Sequence, residues 1–519
     1  MQMAGGSYVR RLFLRKSISQ IHSEQGELKR SLGAVNLILL GIGSTIGAGI
    51  FVQTGRAAAE FAGPAVIVAF MITGLLAACV GLCYAELASA VPVSGSAYSY
   101  TYISMGEGAA WIMGLLLVLE YGLAASTVAV GWSGYFASLL LDMGISIPPE
   151  LTVAPGTPIR DASGVVIASG VVNLPAMLII GAITVVLLGG TSKSATTNNI
   201  IVAMKLTAIV LFIALGFRCI QPSLWLPFVP AEVPARPPGT NMDIWHQLGR
   251  ALVAVITADN SVRYGLGGVI HAAAIVFSAY LGFEAVSTAA AEARNPTRDV
   301  PIGILGALVV CTLLYVATSA VLVGIVPYRS LDNAAPLAMA VNRIGLPWFS
   351  VLLKVGAIAG LSSVMLVALY GQTRIFYAMS RDGLLPLCFG KVHKTSGTPR
   401  INTAIVGILA MGAAGFVSLG AIVELTSVGS LAAFALVCLT VIYLRVSQPE
   451  LARPFRTPLF PLVPLLGASM CLLVLMSLMA TPATRSFFLM YLGAGSVVYF
   501  AYGMNHSNLG RSRRGVLAS

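Results

Sequence analysis

Charged residues are scarce in this sequence, since Asp, Glu, Lys and Arg together make up 10% of its 519 residues. Soluble globular proteins carry about 25% charged residues. Hydrophobic residues account for 57% of the chain, which leaves too little polar surface for a soluble fold of this length. The composition therefore excludes the soluble classes and predicts a protein embedded in a lipid bilayer.

Cysteine and histidine are also few, with seven and five residues, and their positions show no metal-ligand spacing. Cys79 and Cys83 share a helix face but have no histidine or acidic partner beside them, which favours packing over metal binding. We find no nucleophile elbow, P-loop or paired catalytic carboxylates, and no localised basic patch of the kind that nucleic-acid binding requires. The sequence thus predicts no enzyme, no cofactor, no metal and no nucleic-acid partner, and leaves protein partners open.

Long apolar runs are abundant. Twelve of them approach or exceed the roughly 20 residues that cross a bilayer core. Their approximate limits are 34–57, 62–88, 108–141, 171–190, 198–219, 267–291, 301–326, 348–378, 401–419, 421–444, 459–480 and 485–503. The sequence therefore predicts an all-α polytopic membrane protein with twelve transmembrane helices.

The basic residues predict the orientation of these spans. Of the 31 Lys and Arg residues, twenty fall on the side that holds both termini and nine on the opposite side. Cytoplasmic loops carry the excess of Lys and Arg. We therefore expect a cell (inner) membrane protein whose terminal segments, residues 1–33 and 504–519, are both cytoplasmic.

A glycine-rich patch interrupts the first span, which reads GIGSTIGAGIF from Gly41 to Phe51. Each glycine weakens a helix by about 1 kcal/mol relative to alanine. A break here would expose amide and carbonyl groups at mid-membrane, where a substrate could replace the lost hydrogen bonds. The alternative is close helix packing through small residues, which glycine also favours.

The sixth span carries a second candidate break, in the segment FSAYLGFEAVSTAAAEARNP from Phe277 to Pro296. It places Gly282 and the ionisable Glu284 in mid-membrane. Matched interruptions in two five-span halves indicate an inverted-repeat transporter with its site between the breaks. The predicted organisation is a first repeat at 34–219 with an outer loop at 142–170, an outer loop at 220–266, a second repeat at 267–444, and two further helices at 445–503.

Several long motifs identify a family resemblance. They are GIGSTIGAGIF at 41–51, YAELASAVPVSGSAYSY at 84–100, NNIIVAMKLTAIVLF at 198–212, SAYLGFEAVSTAAAEARNPTRDVPIGI at 278–304, GQTRIFYAMSRDGLLP at 371–386 and RPFRTPLFP at 453–461. With these motifs in this order, the chain resembles the amino acid–polyamine–organocation (APC) superfamily, and within it the bacterial branch of the cationic amino acid transporter family. The resemblance implies a five-plus-five inverted repeat and alternating access around broken helices 1 and 6.

The resemblance also implies a substrate site made largely of backbone groups. Amides near Gly47, Ala48 and Gly49 would bind the substrate carboxylate, because a helix start favours anions. Carbonyls would accept bonds from its ammonium group, and the eighth span would contact its side chain through Met365. The residues expected at the site, besides those three, are Ile42, Gly43, Phe277, Ser278, Leu281 and Met365.

Ionisable residues within spans are functional candidates by default. Lys205 lies about eight residues into the fifth span, roughly 12 Å from its cytoplasmic end at 1.5 Å per residue. Glu120 and Glu284 are expected near mid-membrane, where each is either a proton-coupling group or a structural acid. Lys354 is near the outer end of the eighth span, where we expect its ammonium group to reach water. The charged motifs ARNPTRDVP and SRDGLLP are interpreted as helix caps and salt links.

Lys205 is the preferred coupling residue. Sodium-coupled relatives of this fold hold a cation between spans 1, 5 and 8, and here Ser362 and Ser363 would supply the hydroxyls of that site. A protonated Lys205 would replace the sodium ion, or else act as a fixed strut. Met365 offers no partner to a cationic side chain, and burying an unpaired charge is costly, so neutral amino acids are favoured over cationic ones.

The sequence thus predicts a secondary transporter that imports amino acids with protons by alternating access. A sodium-independent exchanger is the alternative among transporters. A membrane amino acid sensor and a channel are the alternatives from other classes. A channel requires a continuous polar pore, whereas these spans contain isolated ionisable residues.

Overall fold

The computed structural model describes residues 11–16, 32–93, 95–160, 166–189, 195–231, 233–234, 262–333, 335–393, 398–479 and 482–511. The predicted terminal segments 1–33 and 504–519 and the outer loop 220–266 therefore lie partly outside the described residues. Apolar α-helices make up most of what is described.

The first half of the chain contains helices α1 Ala34–Thr45, α2 Val66–Ala90, α3 Ser96–Ser104, α4 Glu107–Asp142, α5 Leu174–Leu188 and α6 Ala195–Phe217. Shorter helical segments accompany them at Gly49–Gln53, Thr54–Ala57, Ala58–Ala62, Gly63–Ala65 and Pro149–Leu151.

The second half contains α7 Gly265–Val276, α8 Pro296–Ile325, α9 Pro336–Arg343, α10 Pro347–Arg381, α11 Arg400–Phe416, α12 Leu419–Ser447, α13 Leu462–Met479 and α14 Pro482–Val498. Shorter segments lie at Pro222–Trp225, Phe277–Tyr280, Ala285–Thr288, Ala290–Glu292, Tyr328–Ser330, Leu387–Phe389, Tyr499–Gly503 and Met504–His506. Several of the long helices start with proline in their first turn, where the missing amide removes no intrahelical hydrogen bond.

Two short antiparallel strand pairs lie in the predicted outer loops. Strand β1 Pro158–Arg160 pairs with β2 Val166–Ser169, and strand β3 Val233–Pro234 pairs with β4 Val262–Arg263. Neither strand pair belongs to the helical core.

Within the described residues, nine helical stretches are long and apolar enough to cross a membrane, and α1, α5 and α11 are shorter apolar helices. An all-α polytopic membrane fold is therefore confirmed, whereas the total of twelve spans stays a prediction. The predicted junction between the ninth and tenth spans is very short in the structure. Only Val417 and Ser418 separate α11 from α12, and the Ser418 hydroxyl accepts a hydrogen bond from the Ala421 amide at 3.4 Å as an N-cap.

Both predicted breaks are present. Helix α1 ends at Thr45, Ile46 adopts an extended conformation, and helical structure resumes as a π-helical turn at Gly49. Helix α7 ends at Val276 and is followed by a 3₁₀ turn. Gly282 then has a φ of +113°, a conformation that side-chain-bearing residues rarely adopt.

Close helix packing, the alternative explanation of the glycine patch, also applies, but to Gly41 and not to the glycines of the break. A Cβ atom added at Gly41 would lie 2.6 Å from the Cβ of Ala307 in α8. Gly41 therefore permits close packing of α1 on α8, whereas Gly47 and Gly49 belong to the break itself. The sequence analysis treated helix packing and helix breakage as alternative explanations of the glycines. In the structure, Gly41 serves packing, and Gly47 and Gly49 lie in the break.

The charged loop motifs act as the predicted caps and links. The Asp299 carboxylate accepts the Asn295 amide at 3.2 Å at the start of α8. The Asp382 carboxylate at the end of α10 accepts Lys16 Nζ at 2.6 Å and the Tyr98 hydroxyl at 2.7 Å. These hydrogen bonds and the ion pair stabilise helix ends. The residues around the breaks are therefore the better candidates for substrate binding.

Candidate functional site

The two breaks contact each other directly. A Cβ atom added at Gly49 would lie 2.2 Å from Ala279 Cα, and one added at Gly282 would lie 2.5 Å from the Ser44 carbonyl oxygen. The Ser44 hydroxyl donates to the Gly282 carbonyl oxygen at 2.7 Å. Glycine is required at both positions because backbone from the other break occupies the space that a side chain would take.

Tyr315 of α8 bridges the breaks, and sequence reasoning missed it. Its hydroxyl lies 3.0 Å from the Thr45 carbonyl oxygen and 2.8 Å from that of Ala279. The side chain is completely buried. A tyrosine in the middle of an apolar span could have indicated a buried polar contact from the sequence, because its hydroxyl needs a hydrogen-bond partner once it leaves water.

Gly47, Ala48 and Gly49 lie where the second segment of the first span begins. The first amides of a helix have no intrahelical partner, so these amides are in the right place for an anionic group. The Ile42 carbonyl oxygen, expected to bind an ammonium group, already accepts the Ile46 amide at 3.0 Å. A carbonyl oxygen has two lone pairs, so the Ile42 oxygen can accept a second hydrogen bond.

The second break supplies Phe277, Ser278 and Leu281. Phe277 is fully buried and Leu281 is 9% exposed. The Ser278 hydroxyl contacts Gln53 Oε1 and the Ile275 carbonyl oxygen. Gln53, which the sequence analysis did not select, thus links the two breaks through a side chain.

Helix α10 faces the first break through Val364. The Cγ1 atom of Val364 would lie 3.4 Å from a Cβ atom added at Gly47. Met365 is adjacent and fully buried, and its contact with substrate stays a prediction. The Ser362 hydroxyl accepts Trp132 Nε1 at 3.0 Å and donates to the Ile358 carbonyl oxygen at 2.8 Å. Ser363 is also buried, at 8% exposure.

Lys205 of α6 reaches the first break. Its Nζ atom donates to the Gly43 carbonyl oxygen at 2.5 Å and to the Ile46 carbonyl oxygen at 3.0 Å. The side chain is completely buried, and Gly360 of α10 lies against its methylene groups. A single ammonium group thus connects α6 to the unwound backbone, beside α10. The same position also suits a fixed strut.

Glu120 of α4 and Glu284 are brought together in the interior. Both are 1% exposed, and their carboxyl groups face each other. Glu284 also accepts the Gly282 amide at 2.8 Å, so it satisfies a donor that the break exposes. Two carboxylates close together in a buried site repel each other, and the proton-coupling role expected of this pair stays a prediction.

The expectation for Lys354 is wrong. Its side chain is 1% exposed and forms an ion pair with Asp142 Oδ2 at 2.5 Å. Its Nζ atom also donates to the Ser138 carbonyl oxygen at 3.2 Å. The ammonium group does not extend to water because a carboxylate at the end of α4 lies within reach.

Comparisons with known proteins agree with this architecture. A family model described as "Amino acid permease" matches residues 32–501. A methylthioribose transporter of Bacillus subtilis is 42% identical over 502 residues, which are 96% of this chain and 99% of that protein. A branched-chain amino acid permease of the same bacterium is 41% identical over 502 residues, with the same coverage.

A vacuolar cationic amino acid transporter of Arabidopsis thaliana is 35% identical over 445 residues, which are 85% of this chain and 68% of that protein. The family model and these relatives are permeases and transporters. Together with the apolar helices, they confirm the resemblance drawn from the motifs and make this a multi-pass membrane protein that is not an enzyme. The chain belongs to the amino acid permease family of the APC superfamily.

Proposed function

We propose that this protein imports neutral amino acids together with protons across the cell membrane, by alternating access around the two breaks. The observation that carries the proposal is the pair of hydrogen bonds from Lys205 to the carbonyl oxygens of Gly43 and Ile46. Only a protonated lysine has three donors and a full charge. Loss of its proton would therefore weaken the connection between α6 and the first break.

Uptake into proteoliposomes tests this function. Labelled leucine should accumulate against its gradient when an inward proton gradient is imposed without sodium. Accumulation that depends only on amino acid inside the vesicles, with or without the proton gradient, would instead establish the exchanger. Binding without any movement of label would establish the sensor.

The preference for neutral substrates rests on the apolar side chains that face the first break. Val364 of α10 lies against Gly47, and the next residue, Met365, is fully buried. Neither offers a partner to a guanidinium or ammonium head, and a buried charge left without a partner costs several kcal/mol. The relative that is named a branched-chain amino acid permease agrees with this chemistry.

We therefore expect the charge on the side chain of a competing amino acid to decide whether it inhibits leucine uptake. Unlabelled leucine, isoleucine, valine and alanine should inhibit leucine uptake, whereas arginine and lysine should not. A difference of about 3 kcal/mol corresponds to more than a hundredfold in apparent affinity. Strong inhibition by arginine and lysine without inhibition by alanine would contradict the neutral preference and point to Glu120 or Glu284 as the counter-charge.

A second candidate substrate is methylthioribose, because a relative with 42% identity is named for its transport. This sugar carries neither a carboxylate nor an ammonium group. It would therefore not use the amides at Gly47, Ala48 and Gly49 as an amino acid would. Including it as a competitor in the same assay distinguishes the two substrate classes directly.

The orientation can be tested with two native cysteines that are free and exposed, Cys219 and Cys388. Cys219 follows α6 on the predicted outer side, and Cys388 follows α10 on the predicted cytoplasmic side. In variants that retain only one cysteine each, an impermeant maleimide added to intact cells should label Cys219 and spare Cys388. The opposite pattern would reverse the predicted cytoplasmic location of both termini.

A further inference from the structure

Three buried polar groups, one of them in the acid pair itself, have no hydrogen-bond partner of normal geometry among the described residues. They are the Glu120 carboxyl, apart from its contact with Glu284, and the hydroxyls of Tyr84 and Tyr100. Their side chains are 1%, 0% and 2% exposed. A buried polar group without a partner destabilises the folded protein, so three in one region need an explanation.

Tyr84 of α2 lies next to the acid pair. Its ring packs edge-on against Phe283, the residue before Glu284, with the ring centroids 5.8 Å apart. Its hydroxyl lies within electrostatic range of Glu120, Glu284 and Tyr100. Tyr84 is therefore close both to the acids in the interior and to Tyr100 in α3.

Tyr100 continues the series of hydroxyl groups towards the predicted cytoplasmic side. Its hydroxyl lies close to the Ser287 hydroxyl and has no hydrogen-bond partner among the described residues. The Ser287 hydroxyl lies 2.7 Å from that of Ser96, at the start of α3, and donates to the Glu284 carbonyl oxygen at 2.6 Å. Hydroxyl groups thus extend from the acid pair to the start of α3, at the end of the loop that joins α2 and α3.

Ordered water is the usual partner of buried polar groups that the protein leaves unsatisfied. Such a water needs about two to four polar neighbours, and the Glu120 carboxyl and the two tyrosine hydroxyls are the unsatisfied groups that water would join here. The other titratable neighbours of Tyr84 and Glu120 here are Tyr121 and Cys438. None of these groups is basic, so water rather than an anion fits the site.

We propose that ordered water joins Glu120 to the hydroxyls of Tyr84 and Tyr100, and that this path carries protons between the acid pair and the cytoplasmic side. Each water or hydroxyl takes a proton on its oxygen and releases its own proton to the next acceptor. The water and the tyrosine hydroxyls are neutral again after each transfer, and the acid pair that releases the proton gains one negative charge until it takes up another proton. The inference rests on the proposed proton symport and adds a route to the cytoplasmic side for a proton held by the acid pair.

The test compares two kinds of transport in proteoliposomes. Tyr84→Phe/Tyr100→Phe removes both hydroxyls and retains both rings. Tyr491→Phe is the matched control, because it removes a half-buried hydroxyl that already has a protein partner, the Leu115 carbonyl oxygen at 2.9 Å. Substrate counterflow needs no net proton transfer, whereas accumulation driven by a proton gradient does.

We expect the double variant to retain counterflow and to lose about tenfold or more of its gradient-driven accumulation, an effect in the range typical of lost proton transfer. Tyr491→Phe should keep both activities. Gradient-driven accumulation by the double variant at the parent rate would overturn the inference. If the parent itself shows no gradient-driven accumulation, the proposed symport fails instead.

A second measurement does not depend on a variant folding. A high-resolution experimental map of the parent should show ordered water within hydrogen-bonding distance of Glu120 and of the Tyr84 hydroxyl. A well-resolved region without water there would overturn the inference, whatever the transport assays show. The map thus tests the hydration, and the variants test its role.

Discussion

Lys205→Ala should abolish accumulation of labelled leucine under a proton gradient, while counterflow is at least partly retained. The substitution removes the two hydrogen bonds to the carbonyl oxygens of Gly43 and Ile46. Hydrogen bonds to charged groups contribute about 1.5–3 kcal/mol each, so we expect a loss of at least about tenfold in driven uptake. Substrate should still bind, because the predicted contacts with it are backbone groups that remain.

Lys354→Met is the matched control for this variant. Lys354 is another buried lysine, but it pairs with Asp142, whose side chain is 32% exposed and can stay hydrated alone. This control should lower stability while it keeps gradient-driven accumulation. Full accumulation by Lys205→Ala without sodium would exclude Lys205 as the coupling residue, and Glu120 would be the next candidate.

Gly49→Val should eliminate transport and lower the thermal unfolding temperature of the purified protein. The added Cβ would lie 2.2 Å from Ala279 Cα, and backbone cannot move aside as a flexible side chain can. Overpacking a well-packed interior costs about 1–3 kcal/mol or more. Here it would also separate the two breaks, so uptake should fall further than stability alone explains.

Gly412→Ala provides the comparison, since a Cβ atom at this helical glycine has nothing within 4 Å. Alanine is favoured over glycine in a helix interior by about 1 kcal/mol, so this variant should unfold at the same or a higher temperature. Its uptake should match the parent. Parent-like unfolding and uptake by Gly49→Val would show that the breaks do not approach as closely as described.

The sequence predicted the membrane class and both breaks because these depend on local properties. Length and hydrophobicity are sufficient to indicate a span, and clustered glycine weakens a helix wherever it occurs. The helix limits were close for α4, predicted at 108–141 and found at Glu107–Asp142. They were poorer at the second span, predicted from 62, because helical turns continue through Gly63–Ala65 before α2 begins.

Which side chains meet across the interior was decided by the tertiary structure alone. Tyr315 bridging the breaks, Asp142 pairing with Lys354, and Glu120 facing Glu284 all join residues that are far apart in sequence. A soluble helix shows its buried face by an apolar stripe, but these helices are apolar on every side. Periodicity therefore carries no orientation signal here, and the polar contacts that define the site emerge only when the helices pack.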